Sequence, residues 1–162
     1  KDGNYFKKQI EWVIDNDMKG PGGEYFLTDA LDKMIKDGKV FKTATVDEWL
    51  DCGTLPAWLE TTGIITEKEY KSIDEEDFSD STIIPPVYLG EGVKIENSTI
   101  GPKVSIEENT EIRNSKVENT IIRDHSKIED SEITDSTVGA YTELRNVKGS
   151  VDIGDHSKLD IK

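Results

Sequence analysis

Cysteine occurs once in these 162 residues, at Cys52, so no disulfide can close within the chain. Histidine occurs only at His125 and His156, and with the lone cysteine it forms no zinc-binding spacing. Positive charge is scarce: 20 Lys+Arg face 34 Asp+Glu, a formal net charge of −14. That balance argues against nucleic acid or an anionic membrane as partner, because neutralising phosphates requires a basic patch. No apolar run approaches the ~18 residues that a membrane-spanning helix needs. The opening stretch "KDGNYFKKQI" lacks the apolar centre of a signal peptide. The expectation from these absences is a soluble, cytoplasmic chain with an acidic surface.

A second absence divides the chain. Residues 83–162 contain no Trp, Met or Phe, whereas residues 1–71 hold all three Trp and both Met. Between them, "SIDEEDFSDST" (72–82) is acidic and poor in core residues, which reads as a linker.

The first module has a helical rhythm. Phe6, Ile10, Val13 and Ile14 recur at helical spacing until "KGPGGE" (19–24) interrupts them. A second helix is expected to gather Leu27, Leu31, Met34 and Ile35 on one face, with Thr28 as N-cap and Gly38 as stop. "KVFKTATVDEW" (39–49) reads as a strand, with Trp49 anchoring it in a core. After a turn at Gly53, "LPAWLETTG" reads as a short helix with Pro56 near its start. One strand and three helices make an incomplete piece of an α/β domain.

The second module repeats. Leu89, Ile106, Ile122, Val138 and Ile153 are spaced by 17, 16, 16 and 15 residues. Six residues after each stands Ile95, Ile112, Ile128, Leu144 or Leu159. Four residues after each leader stands a small or β-branched residue: Val93, Thr110, Ser126, Thr142 or Ser157. This is the hexapeptide signature of a parallel β-helix, in five registered coils. Two charge columns share the register and alternate in sign: Lys94, Glu111, Lys127, Glu143, Lys158, and Glu96, Arg113, Glu129, Arg145, Asp160. With coils stacked about 4.8 Å apart, every charge has opposite charges above and below it. Slipping by one coil would stack like charges, so the pattern specifies register. His125 and His156, both in "DHSK", are expected in one column two coils apart, as exposed turn residues.

The segment "GGEYFLTDALDKMIKDGKVFKTATVDEWLDCGT", with G-E-x-x-L-T-D followed by W-x-D-x-G-T, resembles the C-terminal part of the catalytic domain of sugar-1-phosphate nucleotidyltransferases. It is similar to the long bacterial glucose-1-phosphate thymidylyltransferase-like forms, whose tail is a left-handed β-helix. The resemblance covers both modules in order and implies the fold class: the C-terminal part of a Rossmann-like α/β domain, then an all-β left-handed parallel β-helix. The left hand comes from the resemblance, since parallel crossovers are ordinarily right-handed.

The resemblance also implies chemistry. Its members transfer a nucleotidyl group from a nucleoside triphosphate to a sugar 1-phosphate and release pyrophosphate, with Mg²⁺ as cofactor. It makes Asp51 the metal ligand, a hard oxygen donor suited to Mg²⁺. It places Glu24 and Thr28 in the sugar pocket and implies a homo-oligomer. Cys52 has no role in this chemistry. The family's Gly-rich nucleotide loop, second metal-binding Asp and E-K-P segment are missing, and Gly22 stands where thymidylyltransferases commonly carry a phosphate-binding Arg. The expectation is therefore a C-terminal fragment, inactive alone. Two alternatives stay open: a non-catalytic β-helix assembly or regulatory module, and a hexapeptide acyltransferase using a histidine. Acyltransferases usually carry a projecting loop, and here only "VKGS" (147–150) breaks the coil pattern.

Overall fold

The computed structural model describes residues 3–69 and 78–161. Most of the acidic stretch 72–82 therefore lies outside the described residues. The chain divides into two compact units, Lys1–Glu48 and Trp49–Lys162.

The first unit contains helices α1 (Gly3–Asp15) and α2 (Leu27–Lys36), packed on each other, with a single 3-10 turn at Pro21–Gly23. Its core is small, with Val13 and Ala30 as the buried apolar residues, because two short helices have little surface to share. Gly38, at φ +84°, ends α2 in the left-handed region, as its position predicts. Thr28 does not cap this helix. Phe26 occupies the N-cap without a side-chain bond, and Thr28 already lies inside the first turn. Nor does the strand expected over 39–49 form: Val40, Val46 and Trp49 are 88, 72 and 82% exposed. A strand exists through a neighbour's backbone groups, and no strand among the described residues pairs with this segment.

The second unit is a parallel β-solenoid of about five turns over residues 82–160, preceded by α3 (Leu55–Glu69). Each full coil contributes to three parallel ladders. The first stacks β2 (Val87–Leu89), β5 (Val104–Ile106), the second half of β7 (Lys116–Ile122), the second half of β9 (Glu132–Val138), and β12 (Asp152–Ile153). The second stacks β3 (Lys94–Glu96), β6 (Glu111–Arg113), β8 (Lys127–Glu129), β10 (Glu143–Arg145) and β13 (Lys158–Asp160). Both have the register that the sequence spacing predicts. The third ladder joins β1 (Thr82–Ile83), β4 (Thr99–Ile100), the first halves of β7 and β9, and β11 (Lys148–Gly149).

Inward aliphatic columns make the core. Ile100, Ile106, Ile112, Ile122 and Ile128 have no exposed surface at all, while Leu89 and Ile153 in the end coils are only half-buried. The chain turns between ladders at residues with positive φ: Asn109, His125, Tyr141 and His156 at one corner, Asn97, Asn114, Asp130 and Asn146 at the next, Lys103, Asn119 and Asp135 at the third. Asn and Asp dominate because their short polar side chains tolerate the left-handed region. Helix α3 buries Leu59, Gly63 and Thr66, one face at i, i+4, i+7, and contacts β2, β5, β7 and β9. It runs longer than the nine residues of "LPAWLETTG" because the solenoid wall gives that face something to cover.

Candidate functional site

The turn before α3 is built around Asp51. Its Oδ1 accepts the backbone N–H of Gly53 at 3.0 Å, a local turn that fixes the carboxylate's direction. Its own carbonyl accepts the Thr61 hydroxyl at 2.5 Å, which ties the turn to the second turn of α3. Thr54 caps that helix through Oγ1, accepting Ala57 N–H at 3.3 Å. Asp51 is thus held by its backbone and one oxygen, and the carboxylate stays exposed to solvent. Cys52 is exposed beside it and unpaired.

Magnesium is commonly bound through one or two carboxylates, with waters and substrate phosphates completing the octahedron. An exposed, oriented carboxylate such as Asp51 fits that donor chemistry as one ligand. Among the described residues, no group of three or more His, Cys, Asp or Glu could hold a metal ion by itself.

Glu24 and Thr28 lie in the first unit, and both are exposed. Glu24 follows the 3-10 turn, its carbonyl accepting Gly20 N–H at 2.9 Å. Between them, the Tyr25 hydroxyl donates to Asp17 Oδ1 at 2.6 Å, and Lys19 pairs with the same oxygen at 2.7 Å. Lys19 and then Tyr25 hold the Asp17 carboxyl below the usual carboxylate range. This tether fixes the loop carrying Glu24 to the end of α1, and sequence periodicity gave no sign of it.

On the solenoid, His125 and His156 do share a column, with Tyr141 between them. The His125 and Tyr141 rings stack at 4.8 Å and 12°, the Tyr141 and His156 rings at 5.1 Å and 15°. His125 Nδ1 lies 2.9 Å from Asp124 Oδ2, and this contact lowers the Asp124 carboxyl. Tyr141 breaks the repeated "DHSK" wording, so the repeat alone hides the three-ring stack.

The checkerboard forms as its alternation predicts. Lys94 pairs with Glu111 at 3.1 Å and Arg113 with Glu96 at 3.0 Å, while Arg145 pairs with Glu129 and Lys158 with Glu143. The Lys94 hydrogen bond pulls the Glu111 carboxyl down, and Lys158 does the same to Glu143. These pairs lie at the solvent-facing surface, where water and salt screen them, so their main effect is on register rather than on overall stability.

No protein-family model and no curated protein matches the chain. Among the described residues, no helix is long and apolar enough to cross a membrane.

Proposed function

We propose that the chain serves sugar-1-phosphate nucleotidyl transfer, with a Rossmann-like catalytic context around residues 1–71 and a left-handed β-helix as its tail. The observation that carries this reading is one of order: G-E-x-x-L-T-D, then W-x-D-x-G-T, then hexapeptide coils, in a single chain whose coils do form a parallel β-solenoid. In this reading Asp51 is a Mg²⁺ ligand, and its Gly53 hydrogen bond holds the carboxylate in one orientation. Glu24, on the loop that Tyr25 tethers, and Thr28, in the first turn of α2, bind hydroxyls of the sugar 1-phosphate. The metal supplies neutralisation of charge on the phosphoryl oxygens during in-line attack on the α-phosphorus. Substrates are a nucleoside triphosphate and a sugar 1-phosphate.

The test is pyrophosphate release by the intact protein carrying this chain, across a panel of sugar 1-phosphates and nucleoside triphosphates with Mg²⁺. Turnover is expected for at least one pair, and none from the 162 residues alone. A folded intact protein inert toward every pair would overturn the reading. A second reading, a non-catalytic assembly module, draws on the parallel β-solenoid itself, whose stacked coils can provide subunit contacts. It expects that inert outcome together with a defined oligomer.

A further inference from the structure

Asp17 ends α1 at a position where glycine is the usual choice. Its φ is +49°, its N–H donates to the Ile14 carbonyl at 2.9 Å, and Met18 N–H donates to Val13 at 3.0 Å. Glycine would make this left-handed turn with less strain. What aspartate adds is a carboxylate, whose Oδ1 takes the Tyr25 hydroxyl at 2.6 Å and the Lys19 ammonium at 2.7 Å.

Two further contacts close the same loop. Gly20 N–H donates to the Glu24 carbonyl at 2.9 Å. The Phe26 ring lies directly on Gly20, where any Cβ would collide with it. Glu24 is therefore fixed from both sides: its own carbonyl is bonded to Gly20, and the next side chain is bonded to Asp17. Phe26 is also the N-cap of α2, so the same ring contact sets where the first turn with Thr28 begins.

These contacts shape a surface rather than a core. Glu24, Tyr25 and Phe26 are exposed, while the buried apolar residues of this unit are Val13 and Ala30. Bonds that hold an exposed loop in one shape pre-organise it, so less ordering is left for the moment a ligand binds.

We infer that Asp17 and Tyr25 are positioning residues for the sugar 1-phosphate, acting through Glu24. The Asp17 carboxylate holds the Tyr25 side chain, and with it the loop that carries Glu24. Lys19 keeps that carboxylate ionised and so a strong acceptor. The inference rests on the nucleotidyl-transfer reading and adds to it two residues that act without touching substrate. A loop ordered throughout the reaction favours bound substrate and transition state alike, so loosening it raises KM and leaves kcat in place.

The test is steady-state kinetics of the intact protein with a sugar 1-phosphate and nucleoside triphosphate pair that it turns over. Y25F removes the hydroxyl. D17G removes the carboxylate, and glycine keeps the left-handed turn. Each should raise KM for the sugar 1-phosphate on the order of tenfold, with kcat and the nucleotide KM within about twofold of wild type. D17N should restore the sugar KM, because its amide oxygen still accepts the Tyr25 hydroxyl. General loosening of the fold would not be rescued in that way. With wild-type turnover present, an unchanged sugar KM in Y25F and D17G, equal rises in both KM values, or no rescue by D17N would overturn this inference alone. A wild-type protein inert toward every pair would overturn the nucleotidyl-transfer reading and this inference with it.

Discussion

The hydroxyl of Ser115 accepts the backbone N–H of Ser131 at 3.1 Å and donates to the carbonyl of Arg113 at 2.7 Å. The same relay runs from Ser98 to Ser115, from Ser131 to Val147, and along Thr110, Ser126 and Thr142. Each hydroxyl follows a left-handed corner residue, where the turning backbone leaves an N–H outside the strand ladder. Burial makes that N–H costly unless something accepts it.

Replacing Ser131 with Ala removes the acceptor of Val147 N–H at a fully closed site. The expected cost is roughly 1–3 kcal/mol, the range for a buried unsatisfied donor. Chemical denaturation of Ser131→Ala beside Ser150→Ala, an exposed serine, measures it. Equal stabilities would show that the relay contributes nothing.

Ile122 has no exposed surface and sits in the middle of the first ladder. Ile122→Asp buries a charge without a partner and should cost several kcal/mol, while Glu129→Gln at the exposed checkerboard should cost under about 1 kcal/mol. Thermal melts of the two variants separate core from surface. Similar losses would place the core elsewhere.

Acid should loosen the checkerboard in one direction only. Glu111 and Glu143 have folded-state pKa values depressed below 4.5 by Lys94 and Lys158. Depressed carboxyls contribute stability that is fully present above the unfolded value and disappears as pH falls through the folded one. Stability should therefore be flat near neutrality and decline from about pH 5 downward. Glu111→Gln should make that decline shallower; an unchanged slope between pH 5 and 3 would remove Glu111 from the account.

For Asp51, the intact protein is the object of the test. Asp51→Asn keeps the Gly53 turn, because an amide oxygen accepts the same hydrogen bond. Folding should survive while kcat falls on the order of 10²-fold or more, the scale of a lost transition-state metal contact. Turnover near the wild-type rate at saturating Mg²⁺ would reduce Asp51 to a turn residue.

Spacing alone determined the solenoid. Columns at intervals of 15 to 17 residues, small residues four after each leader, and alternating charges all pointed to one stacked register, and two of three ladders follow it. Those signals were legible because every coil repeats the same local environment. The third ladder, through Ile100, Val117 and Ile133, was not: its segments are short, follow Asn and Asp corners, and end on Gly149. Only closure of the coil brings them over one another. The segment 39–49 shows the opposite case. Val40, Phe41, Thr43 and Thr45 carry strand preference, yet a strand is completed by another chain segment's hydrogen bonds, and preference alone supplies none. Tertiary structure likewise placed Tyr141 between two histidines and set α3 against the solenoid wall, since stacking and burial depend on neighbours distant in sequence.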